Sequence, residues 1–215
     1  MQSVKRPFIP AAGYDFALRF YDPFTRWLGA DAARNTLIQL AELRAGQRVL
    51  DLGCGTGTLL VAAKRSCPGA ELIGLDPDER ALARAREKAA QAGVSLQFQA
   101  GYADELPFAP ASFDSVLSSL MVHHLDVETQ ARTVHEIARV LKPGGKVHIL
   151  DFAKPHEGVH GVLGAISRFT GQGGIHIARD LPALLRGAGL VDIRAIEQPR
   201  MFFHTVMYYG AARLG

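Results

Sequence analysis

Three carboxylates, a glycine-rich turn and two adjacent histidines are the residues whose types and spacing could do chemistry. Asp51 stands two residues ahead of Gly53 in the stretch VLDLGCGTG at 49–57. Gly53, Gly55 and Gly57 admit turns that other residues resist, and they clear the approach to backbone N–H groups. The start of a following helix favours negative charge. A glycine-rich turn alone is a weak signal. Here the spacing is GxGxG, with Thr58 where the third glycine of a dinucleotide fingerprint would fall. A carboxylate at Asp51 repels a pyrophosphate, but it can hold a cationic amino group directly or through water. That combination suits S-adenosylmethionine (SAM) better than NAD.

Asp76 follows the loop by about twenty residues, the spacing at which an acid at a strand end accepts both hydroxyls of a ribose. Asp104 can accept from an adenine amino group, with Tyr102 and Ala103 lining the ring. Each acid alone reads equally well as a helix cap or a solvated loop carboxylate. At successive strand ends the three read together as a nucleoside pocket. His123 and His124 follow a fourth apolar run, and a neutral imidazole near pH 7 is suited to take a proton. Asp151 is a rival base, or a partner for a backbone N–H. The plainer alternative is that one histidine is packed or caps the next helix. His156, His160 and His176 fall in a glycine-rich stretch and either touch substrate or lie on the surface. No metal site is expected from these scattered histidines.

The elements that must position these groups alternate. A helix over 31–43, capped by Asp31, precedes a first strand over 48–52. Helix 58–66 and strand 71–76 follow. Pro77 opens a helix to about residue 92. Then come strands over 94–99 and 113–119, a helix over 128–141 stopped by Lys142-Pro143-Gly144-Gly145, and a strand over 146–152. A helix over 180–188 leads to two strands, 190–198 and 203–211, with a turn near Pro199. This pattern implies an α/β fold: a Rossmann-like, doubly wound, seven-stranded sheet, mostly parallel, with an antiparallel C-terminal hairpin. Residues 1–45 are expected to form a helical cover rich in aromatics, including Phe20, Tyr21, Phe24 and Trp27. Residues 153–178 are expected to cover the substrate. The run MFFHTVMYYG at 201–210 reads as a packed edge strand rather than an aromatic box.

The chain has 215 residues, 48% of them hydrophobic, enough for one domain with a proper core. A net charge of +3 without a Lys/Arg block gives no nucleic-acid signature. Cys54 and Cys67 show no disulfide or metal spacing, and no run is long and apolar enough to span a membrane. The expectation is a cytoplasmic protein whose membrane contact, if any, is peripheral.

At several stretches the chain resembles the class I SAM-dependent methyltransferases, in the small-molecule branch that includes the ubiquinone and menaquinone biosynthesis enzymes. These are VLDLGCGTG at 49–57, GLDPDERALARAR at 74–86, ADELPF at 103–108, FDSVLSSLMVHHL at 113–125 and VLKPGGKVHILDF at 140–152. FALRFYDPFTRWLG at 16–29 resembles the start of that branch. The resemblance covers about residues 16–189 and departs from the pattern after Phe152. It implies SAM as cofactor, S-adenosylhomocysteine (SAH) as product, and cofactor contacts at Tyr21, Asp51, Gly53, Thr56, Asp76, Pro77, Tyr102, Ala103, Asp104 and Ser119; Gly55 joins them from the loop reading. His124, His123 and Asp151 are the catalytic candidates.

Absences narrow the methyl acceptor. The place of the Asn/Asp-Pro-Pro-aromatic motif of amino-directed nucleic-acid enzymes reads SSLM, and neither cysteine follows a proline as a cytosine-C5 nucleophile does. The glutamate pair of arginine methyltransferases and the cysteine set of arsenic methyltransferases are also missing. A small, lipophilic or aromatic acceptor remains. A non-catalytic SAM-binding regulator and a nicotinamide-dependent oxidoreductase are the alternatives.

Overall fold

The structure, a computed structural model, describes residues 30–152, 180–201 and 204–215. The expected contact Tyr21, most of the N-terminal cover and the 153–178 cover with its three histidines lie outside the described residues.

Helix α1 (Ala30–Ala41) leads into β1 (Arg48–Leu52), α2 (Thr58–Ser66), β2 (Glu71–Asp76), α3 (Glu79–Gln91), β3 (Gln97–Ala100) and β4 (Phe113–Ser119). A turn of 3₁₀ helix (Val122–His124) precedes α4 (Val127–Val140), β5 (Leu141–Phe152), α5 (Leu181–Gly187), β6 (Leu190–Met201) and β7 (His204–Arg213). The seven strands form one sheet in the order β3-β2-β1-β4-β5-β7-β6. The first five are parallel, while β7 runs antiparallel to both β5 and β6. The expected fold class is observed.

Helices cover both faces, so the central strands are apolar on both sides, as buried parallel strands are. Val49, Leu72, Leu117 and Leu150 pack with α1 and α2 on one face. Leu50, Ile73, Val116 and Ile149 pack with α4 and α5 on the other. Chain order reverses between β1 and β4, so the loops leaving these strands diverge and open a crevice at their carboxyl ends.

Several boundaries differ from expectation. Asp78, not Pro77, sets the start of α3, its carboxylate accepting from the Arg80 N–H at 3.0 Å. Asp31 lies inside the first turn of α1 rather than capping it. The third strand is shorter than expected because it pairs with β2 alone, from Ile73↔Gln97 to Asp76↔Ala100. Lys142-Pro143-Gly144-Gly145 does not separate helix from strand. The four residues sit within β5 as an irregularity, between the Phe113↔Leu141 and Ser115↔Lys146 pairings, with Gly144 at φ 75°. β6 continues through Pro199 to Met201, so the hairpin turn lies later than expected. Among the described residues no helix is long and apolar enough to cross a membrane.

Candidate functional site

β1 delivers Asp51 and then turns sharply. The Gly53 and Cys54 N–H groups donate to the Leu75 carbonyl at 2.8 and 3.0 Å, which pins the loop to β2. Gly53, Gly55 and Gly57 have φ of 72°, 51° and 74°, in the left-handed region that glycine adopts without strain. At Gly53 a Cβ would lie 2.2 Å from Met121 Cγ, so a side chain there would collide with the residue that leads out of β4. The loop is braced from α3 as well. Lys88 Nζ donates to Thr56 Oγ1 at 3.0 Å and to Thr58 Oγ1 at 2.6 Å.

The loop forms one wall of a cavity of about 740 Å³ at the strand ends. Asp51, Gly53, Gly55, Thr56, Asp76, Pro77, Tyr102, Ala103, Asp104, Ser119 and His124 all line it. Residues far apart in sequence thus converge on one cavity. His123 and Asp151 do not line it. Sequence reasoning missed Arg34, Met121 and Arg132, which do.

Asp51 is 1% exposed, and its Oδ2 has no hydrogen-bond partner. Burial pushes its carboxyl up to about 7; the Arg34 charge pulls it down and Asp76 pushes it further up. An unpaired buried carboxylate oxygen is costly, and a cationic group in the cavity would relieve that cost. Asp76 has a second task that its position alone did not disclose. Its Oδ2 accepts from the Gly55 N–H at 2.8 Å and its Oδ1 from the Asp78 N–H at 2.9 Å. It therefore ties the glycine loop to the start of α3. Each oxygen keeps a further lone pair for a ligand hydroxyl. Burial raises its pKa, opposed by those two N–H donors. Asp104 Oδ2 accepts from Arg132 Nε of α4 at 3.1 Å, with Nη2 3.0 Å from the same oxygen, an ion pair that holds the carboxylate in the cavity wall.

After Ser119, Leu120 takes φ 57° and the chain closes into the 3₁₀ turn. This reversal divides the two histidines. His124 faces the cavity. His123 is buried, its Nδ1 sharing a 2.6 Å hydrogen bond with Asp151 Oδ1 while its N–H donates to Asp151 Oδ2 at 3.2 Å. Asp151 also accepts from the Phe152 N–H at 2.7 Å. His123 and Asp151, the other two candidate bases, are thus hydrogen-bonded to each other and neither lines the cavity. The two imidazoles lie 4.0 Å apart between ring centroids. Burial lowers the His124 pKa to about 4, helped by His123 and opposed by Asp151, so His124 is neutral at pH 7. Among the described residues no cluster is suited to hold a metal ion.

Residues 49–145 match the family model described as a methyltransferase domain. A demethylmenaquinone methyltransferase from Thermus thermophilus is 37% identical over 147 residues, 66% of this chain and 66% of that protein. One from Deinococcus radiodurans is 34% identical over 161 residues, 74% of this chain and 64% of that protein. The chain thus spans just under two thirds of the length of these relatives. In fold, a Haemonchus contortus phosphoethanolamine N-methyltransferase, solved with phosphomonomethylethanolamine and SAH, superposes with a TM-score of 0.72 at 20% identity. That match covers 85% of this chain and 52% of the other. In sequence and in fold the chain is similar to the class I SAM-dependent methyltransferases.

Proposed function

We propose that this protein transfers the methyl group of SAM to a small, lipophilic or aromatic molecule and releases SAH. The observation that carries the reading is the unpartnered Oδ2 of buried Asp51, set against a glycine loop in the cavity that Asp76 and Asp104 also face. This donor and acceptor set fits SAM. Asp51 takes the amino group, Asp76 the ribose hydroxyls and Asp104 the adenine edge, while Pro77, Tyr102 and Ala103 pack the rings. Gly53, Gly55, Thr56 and Ser119 complete the wall. When bound, SAM supplies an activated methyl on a sulfonium whose leaving group is a neutral thioether. The protein's part is then to position, to exclude water and to manage one proton.

His124 is the group that manages the proton. Neutral and facing the cavity, it accepts a hydrogen bond from the acceptor's hydroxyl, or takes the proton that a ring carbon or oxygen loses. The acceptor named for the two bacterial relatives, demethylmenaquinone, makes a reduced quinone-like ring the first class to try. Two free cysteines are consistent with work in a reducing cytoplasm. The modest net charge of +3 gives no reason to invoke nucleic acid.

The test is a transfer assay with labelled SAM and a panel of quinols and phenols, run beside binding of SAM and SAH. Label in a small-molecule product supports the proposal. SAH binding without transfer to any acceptor class would favour a regulatory SAM-binding protein. Binding of NADH in place of SAH would favour an oxidoreductase. His124→Ala should reduce turnover by roughly 10²-fold or more, the scale of a lost general base, with SAH affinity unchanged. Full turnover in that variant would remove His124 from the chemistry.

A further inference from the structure

The two halves of the glycine loop are held by different elements. Gly53 and Cys54 donate to the Leu75 carbonyl and Gly55 to Asp76, so the first half is fixed to β2. The second half, from Thr56 to Thr58, meets α3. A Cβ at Gly57 would lie 2.9 Å from Ala85 Cβ, so the bare backbone of the loop lies directly against that helix. Lys88 stands three residues beyond Ala85, on the same side of α3. Its Nζ donates to Thr56 Oγ1 at 3.0 Å and to Thr58 Oγ1 at 2.6 Å.

A lysine in the last turn of a helix ordinarily serves that helix's own dipole. Lys88 is in the last turn of α3, yet it is half-buried and reaches across to the place where α2 begins. Gly57, the residue that caps α2, has no side chain with which to fix the loop. An ammonium donates and never accepts. Both threonine oxygens therefore accept from Lys88, and the proton of each hydroxyl is turned away from it. Thr56 is 4% exposed, and both threonines line the cavity. Lys88 itself does not line it.

We propose that Lys88 is a positioning residue for ligand binding: from α3 it fixes the second half of the loop, and with it the wall that Thr56 gives the cavity, before any ligand arrives. This rests on the SAM reading of the cavity and goes beyond it, because it assigns a part in binding to a residue that touches no ligand. The effect is one of preorganisation. Without Lys88, part of the binding free energy is lost to ordering Thr56 to Thr58 when the ligand binds. The wall is common to SAM and SAH, so both are weakened alike.

The test is calorimetric titration of the full chain with SAM and SAH, beside amide hydrogen exchange without ligand. Lys88→Met should weaken both ligands roughly tenfold, the lower end of what hydrogen bonds to a charged group contribute. Lys88→Arg, which also only donates, should recover most of that affinity. In a Thr56→Val, Thr58→Val background the Lys88→Met change should add little, because the partners of the ammonium are already gone. Exchange adds a readout that a general loss of stability does not give. In Lys88→Met the Gly57 amide, bonded to the Cys54 carbonyl at 2.9 Å, should exchange faster, while the Gly53 and Cys54 amides keep their wild-type rates. Undiminished affinity in Lys88→Met, or equal acceleration at all three amides, overturns the proposal while the SAM site stands. If Lys88→Met yields no folded protein, Lys88→Gln is measured in its place against the same two outcomes. If folded wild-type protein takes up neither SAM nor SAH, the SAM site fails and this role of Lys88 with it.

Discussion

Burial holds the Asp51 carboxyl at about 7 in place of an ordinary 3.8, and the direction of that shift has two consequences. A raised folded-state pKa means that the group's contribution to stability is fully present below about 3.8 and is lost as pH rises through about 7. Without ligand, Asp51→Asn should therefore melt above the wild type at pH 8, with an advantage that shrinks toward pH 5; scanning calorimetry at both values checks this. Binding has the opposite sign. An ammonium needs the ionised carboxylate, so SAH affinity in the wild type should fall as pH drops through 7, and Asp51→Asn should lose at least tenfold, about 1.4 kcal/mol, at pH 8. An equal Kd at pH 6 and pH 8 would count against the role of Asp51. His124, with its pKa lowered to about 4, stays neutral over this whole range and contributes nothing to that pH dependence. The acids were legible in the sequence because each stands at or just past the end of a strand, Asp51 and Asp76 within the last two residues of β1 and β2 and Asp104 in the loop after β3. Arg34, Lys88 and Arg132 were not. Each reaches its partner or the cavity from a helix, Lys88 across 32 residues to Thr56, and no local spacing records such a contact.

At the scale of the element, the strand–loop–helix unit around 49–66 depends on backbone shape more than on side chains. Gly53 and Gly55 both adopt positive φ, yet their surroundings differ. A Cβ at Gly53 meets Met121 Cγ at 2.2 Å, whereas at Gly55 nothing lies within 4 Å. Gly55→Ala should cost about 1–2 kcal/mol, the left-handed backbone penalty alone. Gly53→Ala adds overpacking and should cost about 1–3 kcal/mol more. Urea unfolding of the two variants checks the order, and Gly53→Ala should also lose SAH binding because Met121 must move into the cavity wall. Equal stabilities would show that the contact relaxes freely. The element types were readable from their apolar periods and glycine stops. The misplaced boundaries share one cause: cross-strand pairing outweighs local residue preference. The partner run on β2 shortens β3, and the register with β4 draws Lys142-Pro143-Gly144-Gly145 into β5.

For the whole molecule, the strand order β3-β2-β1-β4-β5-β7-β6 sets the crevice beside β1 and β4 and so brings Asp51, Asp76, Asp104 and His124 to one cavity. Ligand bound only by the folded state raises stability by about 2.7 kcal/mol at a hundred times its Kd. For a chain of this size that corresponds to a rise in Tm of roughly 5–10 °C. SAH should produce this rise and NADH should not. The sheet was legible because helices and strands alternate with clear punctuation. The acceptor was not, because a shared fold hosts many chemistries and the cofactor motifs say nothing about the second ligand. The central claim, that the cavity is a SAM site, is tested most directly by calorimetric titration of the folded full chain with SAM at pH 8. The expected result is saturable binding at one site per chain, absent with NADH and strongly weakened in Asp51→Asn; folded protein that takes up no SAM, or that binds NADH instead, would contradict it.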